Sequence, residues 1–387
     1  MAKKERLKLI EKIEETRGSR VISYITSTRR NLENNMAMDV PRKIFEHLRS
    51  FGAKKVDKID LFLHSNGGDG TVPWRLVTLI REYAKSFAVL VPYKAFSAAT
   101  LTALGAEEII MHPMGMLGPT DANISGPFNP PHPFAPGQLL GINVEDVTAY
   151  IALLREDAGI NHEEEFVQAF KELATRVHPL ALGSVKRFLS QSRMMAKKLF
   201  EIHMDQTEHQ HDIEQIVENL TSKLFFHGHP INRSEARDQV GLKKVMDASP
   251  ALEKLMWGLY EEYEEQMKLE DPFEVAMEFV SQFPSPPQPP AVQPIPPPQA
   301  LQPVPEVQPA QAPQAAQIPP HLAHLFPGGG AQFGPQITKP AVAKLAYVES
   351  SKRTDVLTID YKLSGAWQPN GAVNVMLLLL RQGWGKE

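Results

Sequence analysis

The chain has 387 residues, a formal net charge of −4, 33 prolines and no cysteine. That length accommodates one or two domains with a substantial core. The charge provides no global basic field to draw nucleic acid or an anionic membrane. The missing cysteine excludes disulfides, thiolate metal sites and a cysteine nucleophile, and it fits a reducing cytoplasm. No apolar run approaches the roughly 20 residues that span a bilayer, so the sequence reads as a soluble, cytoplasmic chain.

The first sixteen residues form an amphipathic helix with Leu7, Ile10 and Ile13 on one face. A strand over Val21–Ile25 and a helix over Val40–Phe51 follow. The apolar run Ile59-Asp60-Leu61-Phe62-Leu63-His64 reads as a buried strand that ends at Ser65-Asn66-Gly67-Gly68-Asp69-Gly70. A glycine pair there lets the backbone turn tightly and direct free N–H groups outward. Val72–Tyr83 has helical spacing, Phe87–Val91 is a second buried strand, and Ser97 then precedes a small-residue helix, Ala98–Ala106. The strand Glu108–Met111 ends at His112-Pro113.

Prolines and glycines keep 124–136 irregular. Helices are expected over Val144–Asp157 and Glu163–Arg176, and from His178-Pro179 toward Ile202. A polar break is expected over 206–212, followed by a helix from Ile213 to Leu224. Ala251–Phe283 reads as a helical pair, with Asp271-Pro272-Phe273-Glu274 as a start signal for its second member. From Pro284 to Pro340 proline density forbids helix and ladder, so this arm is expected to be disordered or polyproline II, a linker or a docking site for a proline-reading partner. Ala341–Glu387 shows strand-like alternation and a Pro369-Asn370-Gly371 turn, a small β-containing appendage that folds back on the core or meets a partner. The expected division is 1–250, 251–283, 284–340 and 341–387.

Alternating strands and helices imply an α/β fold with a parallel, layered sheet. A serine at a strand-to-helix junction exposes its hydroxyl beside free backbone N–H groups, as acyl transfer requires. Gly68 and Ala98 are the candidate oxyanion donors. The plain alternative is an N-cap serine and a turn glycine.

Three segments, Leu63–Gly68, Tyr93–Met111 and Leu117–Asp121, together resemble the SDH (serine dehydrogenase proteinase) family of the Clp protease/crotonase superfamily, related to signal peptide peptidase A. Arg17–Ile22 resembles the family's first strand, and Phe226–Ile231 with Gly241-Leu242 its closing segment. The resemblance spans roughly Leu7 to Val245. It implies a repeated ββα Clp/crotonase-like core with added helices, Ser97 as nucleophile, a peptide substrate and a homo-oligomer.

The base is less defined. Relatives divide between a Ser-His-Asp arrangement and a Ser-Lys dyad. The dyad lysine would open the helix matched by Val144–Asp157, where this chain has none. The Clp-branch histidine would fall in Met114–Asp121, which offers Asp121 but no histidine. The remaining candidates are His227 and His229, which flank Gly228 and carry imidazole, the natural base at cellular pH, and Lys94, close before Ser97. His-x-His suits zinc, yet no third ligand of convincing spacing follows, so no metal and no cofactor is expected. Three functions remain open: a serine peptidase, ATP-independent or partner-dependent; an inactive Clp-fold scaffold or peptide-binding protein; and a crotonase-type acyl-CoA enzyme.

Overall fold

Strand β1 (Arg20–Thr26) lies inside an eight-stranded sheet, and the apolar runs Leu61–Leu63 of β2 (Val56–His64) and Phe87–Val91 of β3 (Ala84–Val91) follow from burial on both faces. The computed structural model describes residues 2–120, 123–124, 126–135, 137–223, 228–283, 337–367 and 373–387. Residues 284–336 of the proline-rich arm and the 369–371 turn therefore lie outside the described residues, whereas 337–340, expected to belong to the arm, are strand, paired with 362–365.

The parallel half of the sheet runs β1, β2, β3, β5 (Glu108–Met111) and β9 (Val245–Asp247). Beside it run two-residue strands: β4 (Lys94–Ala95) pairs with β6 (Met116–Leu117), and β7 (Asn123–Ile124) with β8 (Ile142–Asn143). One face of the main sheet carries Ile22, Tyr24, Leu61, Leu63, Val89 and Val91 into a core with α2 (Val40–Ser50), α3 (Val72–Tyr83) and α4 (Ala98–Leu104). The other face turns Val21, Ile25, Phe62, Leu90 and Ile110 toward α1 (Ala2–Arg17) and α10 (Pro250–Met267). Successive residues of a strand thus feed opposite layers, as the pleat dictates.

Helices α5 (Val144–Ala152) and α6 (Glu163–Arg176) lead into α7 (Pro179–Glu201), whose start is capped by the His178 side chain. Helix α8 covers Gln206–Glu218, so the polar run expected to be a break is helical. Asp205 caps it by accepting the Thr207 N–H at 2.8 Å, and Ile213, Ile216 and Val217 supply the buried stripe. Polar residues at the start of a helix lie on its solvent side and need not interrupt it. A short helix α9 (Arg233–Glu235) precedes β9, and α11 spans Val275–Gln282. The Asp271–Glu274 signal falls one turn before that helix. Phe273 is instead buried, with its N–H donating to Arg30 O at 2.8 Å and the Arg29 guanidinium 5.1 Å from its ring.

The C-terminal segment joins the sheet rather than standing apart. The alternation read over Val342–Tyr361 is a hairpin of β10 (Ile337–Ser350) and β11 (Arg353–Trp367), and β12 (Val373–Lys386) completes an antiparallel edge. β10 pairs antiparallel with β1 through Ala346–Glu349. A buried ion pair fastens this junction: Arg6 Nε lies 2.7 Å from Glu349 Oε2, and Tyr263 OH donates to the same carboxylate at 2.6 Å. The Arg6 guanidinium lies 5.3 and 4.7 Å from the rings of Tyr263 and Tyr347. Among the described residues no helix is long and apolar enough to cross a membrane.

Candidate active site

Strand β2 ends at His64, and the chain continues as a rung beside β4. Ser65 N–H donates to Lys94 O at 2.9 Å, and Phe96 N–H returns to Ser65 O at 3.0 Å. Ala95 pairs with Leu117, and Leu117 exchanges both hydrogen bonds with Ile231 at 2.9 Å. The segments that carry Ser65, Ala95, Leu117 and Ile231 are thereby laced side by side. Ser65 Oγ accepts from Thr26 Oγ1 at 2.9 Å and from Gly67 N–H at 3.0 Å, which sets the turn that follows.

Both glycines of that turn are required by geometry. Gly67 has φ +97°, and a Cβ there would stand 2.6 Å from Phe96 O and 2.8 Å from Ser97 Cβ. Gly68 has φ +151°, and its Cβ would meet Met36 O at 2.4 Å and Met36 N at 2.6 Å. The glycine pair is gripped from both sides. Met36 N–H donates to Gly67 O at 2.7 Å, and Asp69 N–H donates to Met36 O at 2.9 Å.

Ser97 occupies the N-cap position of α4, but its side chain makes no capping hydrogen bond, and its backbone sits at φ 52°, ψ −115°. This conformation is strained for a residue with a Cβ, and such strain costs of order 1–3 kcal/mol and gathers at functional positions. The N-cap reading of Ser97 fails on this point. Among the described residues no hydrogen bond engages Ser97 Oγ, Gly68 N–H or Ala98 N–H. Behind the serine, Thr100 Oγ1 lies 2.6 Å from Ala95 O and 2.8 Å from Gly118 O, and accepts the Gly118 N–H at 3.1 Å. That buried hydroxyl ties the junction to the loop after β6.

The candidate bases are spread out. Lys94 Nζ lies 5.0 Å from the Tyr93 ring centroid, and among the described residues no hydrogen bond joins it to Ser97. His229 Nε2 lies 2.6 Å from Glu235 Oε1, a histidine–carboxylate pair two residues before the Ile231 rung. No hydrogen bond among the described residues joins His229 to Ser97 either. Asp121 and His227 lie outside the described residues. His112 stacks on Trp257 of α10, with ring centroids 4.9 Å apart.

Two further histidines were not singled out as site candidates. His64 is buried, accepts the Lys94 N–H on Nδ1 at 3.3 Å and meets Thr28 Oγ1 at 3.2 Å. Burial, aided by the Lys94 charge, pushes its pKa down to about 3, so it is neutral. At the opposite end of α4, Lys244 Nζ donates to Leu104 O and Ala106 O at 2.7 Å, and lies 3.0 Å from His203 Nε2. The pair caps the helix that begins at Ser97. Gly67 was visible only as half of a turn signal, and the Met36 rung had no local signal at all. Among the described residues no group of three or more His, Asp or Glu side chains is arranged to hold a metal ion.

The comparisons with known proteins bear on this region. The model of the ClpP-like SDH-type serine proteinases matches residues 1–135, the part holding Ser97 and both glycines. Over that part the α/β fold is Clp-like. Two uncharacterized proteins of Methanocaldococcus jannaschii are similar in sequence, one 32% identical over 128 residues, the other 30% identical over 170. The aligned regions cover 31% and 42% of this chain, and the chain spans only 42% and 58% of those relatives' lengths. Among solved structures, a membrane-bound stomatin-specific protease is 20% identical with a TM-score of 0.21, covering 34% of this chain and 59% of that one. A ClpP1 from Listeria monocytogenes is 11% identical with a TM-score of 0.29, covering 62% of this chain and 98% of that one. At those scores neither likeness assigns a residue of the site.

Proposed function

We propose that this chain is a serine peptidase in which Ser97 attacks a peptide carbonyl and forms an acyl-enzyme. The observation that carries the reading is the strained, uncapped Ser97 at the head of α4, packed against Gly67. A serine serving only as a cap would hold an extended backbone and spend its hydroxyl on the helix N–H groups. Gly68 and Ala98 are the proposed oxyanion donors, supported by amides that no described group engages; one such donor is typically worth roughly 3–4 kcal/mol in the transition state.

His229 is the favoured base among the described candidates, because Glu235 holds its ring and the Leu117–Ile231 rung ties its segment to the β4 edge. The proton of Ser97 Oγ would pass to the imidazole as the C–O bond forms, and from it to the leaving amine as the C–N bond breaks. Catalytic hydrogen bonds of this kind often close only in the substrate complex. A peptide would lie extended past Ser65, adding its backbone to the edge there. A homo-oligomer, a cytoplasmic setting consistent with a cysteine-free chain, and a proline-reading partner on 284–340 complete the proposal.

A second reading, an inactive peptide-binding scaffold, is favoured by one observation: among the described residues no base is hydrogen-bonded to Ser97. A fluorophosphonate probe separates the two. Labelling of the native chain that disappears in Ser97→Ala supports the peptidase, and absence of labelling in the native chain overturns it. If His229 is the base, His229→Gln abolishes turnover while leaving the melting temperature of the chain in place.

A further inference from the structure

The last strand of the sheet, β12, is hydrogen-bonded to β11 on one side, and among the described residues nothing pairs with its other edge. Exposed edges are ordinarily protected by lysine, proline, irregularity or brevity. Here the strand is 14 residues long, and from Val373 to Leu380 it carries no charge, proline or glycine. Met376, Leu378 and Leu380 lie on its outer face at 47, 50 and 53% exposure, whereas Leu377 is buried against the inner core. The one irregularity sits at Leu380, where the register steps from Tyr361↔Leu379 to Asp360↔Arg381. The regular, pairable stretch is therefore Val373–Leu379, and its midpoint is Met376.

We propose that β12 pairs antiparallel with β12 of a second copy of this chain about a two-fold axis at Met376, joining two sheets into one. The register follows from the bulge and from the faces. With Met376 opposite itself, Val375 faces Leu377 and Val373 faces Leu379, apolar against apolar, and each residue meets one on its own side of the sheet. Asn374 faces Leu378. Formal charges are absent from the ladder, and the nearest, Arg381 of each copy, lie beyond its opposite ends, so no like charges confront one another. A two-fold interface needs such a self-complementary stretch. The surface is remote in sequence from Ser97, so the proposal stands or falls apart from the peptidase reading.

The absence of cysteine makes the test direct. In an antiparallel pair, directly opposed Cα atoms stand about 4.5–5.5 Å apart, within disulfide reach. Full-length Met376→Cys therefore carries a single thiol that faces its counterpart. Mild oxidation is expected to convert it largely to covalent dimer, whereas Leu380→Cys, equally exposed but facing no counterpart, crosslinks at least several-fold less. Light scattering should show the native chain as a dimer or a multiple of it, and Met376→Lys as a species of half that mass that still melts cooperatively, at a temperature no longer dependent on concentration. A monomeric native chain overturns the proposal. Equal crosslinking of the two cysteine variants, or an unchanged mass for Met376→Lys, overturns it as well and assigns any assembly to another surface or another partner.

Discussion

The Cα of Gly67 and the side chain of Ser97 are in such close approach that a Cβ on the glycine would stand 2.8 Å from the serine Cβ. The glycine is therefore a spacer that lets the nucleophile turn sit against the end of β2. Gly67→Ala is expected to lower the melting temperature by more than Gly137→Ala. Both positions have positive φ, +97° and +83°, but only the first meets backbone, whereas Gly137 has nothing within 4 Å. The shared φ strain is of order 1 kcal/mol. The excess at Gly67, read by thermal melts of the two variants, reports the close approach. Probe labelling at Ser97 should fall with it.

Ser97 provides a second contrast. Its φ of 52° with ψ −115° suits glycine and strains any residue with a Cβ. Ser97→Gly should be more stable than Ser97→Ala by roughly 1–3 kcal/mol, with both variants unreactive toward the probe. Denaturant midpoints of the two variants measure the difference. Equal stabilities would mean that the junction relaxes on its own and stores nothing.

The elements that the sequence made legible are those that local pattern determines. Val72–Tyr83, Glu163–Arg176 and Glu108–Met111 emerge with the expected limits, because apolar spacing and turn residues coincide at both ends. The fold class and the junction serine were legible for the same reason, as strand, glycine turn and small-residue helix are neighbours in the chain. What stayed hidden depends on distant partners. Met36 presses on Gly68 from another part of the fold, and Glu349 meets Arg6 across 343 residues. The polar start of α8 misled because polar composition alone does not distinguish a solvated helical face from a break. The base stayed open because two of its candidates, Asp121 and His227, lie outside the described residues, and the others reach Ser97 by no described hydrogen bond.

Acid should weaken the fold before most carboxylates titrate. Burial pushes His64 down to about 3, and burial pushes His47 and His203 down to about 4, with nearby Arg353 and Lys244 acting in the same direction on the latter two. The sign follows from linkage. Above the unfolded value near 6.5 these groups are neutral in both states and contribute no pH dependence. Below it the unfolded chain takes up protons that the folded chain refuses, so stability falls from pH 6.5 toward 4 and levels only below the folded values. The slope should approach about 4 kcal/mol per pH unit when all three contribute. Urea midpoints between pH 7 and 4.5 measure it. His203→Gln, which keeps an acceptor for Lys244, should reduce the slope by about one proton.

The C-terminal hairpin should be indispensable to the core. Glu349 accepts from Arg6 at 2.7 and 3.1 Å, from Tyr263 at 2.6 Å and from Thr354 at 2.7 Å, all in a buried setting. Removing Glu349 leaves the buried Arg6 with Glu387, 3.0 Å away and partly exposed, as its remaining carboxylate, and breaking such a buried pair costs roughly 3–5 kcal/mol. Glu349→Ala should lose about that much in a denaturant titration. Cutting the chain after Phe283 removes Glu349 and also bares the edge of β1, whose Ser23–Thr26 stretch pairs with Ala346–Glu349. The truncated chain should therefore lose its cooperative melt or aggregate through that edge. The converse experiment isolates the charge. Replacing both partners, Arg6→Met with Glu349→Leu, leaves no buried ion behind, and such exchanges are often neutral or stabilising. The double variant should recover most of the stability that Glu349→Ala loses. If the double variant is as unstable as the single one, the hydrogen bonds of Glu349 to Tyr263 and Thr354 hold the hairpin, and the ion pair does not.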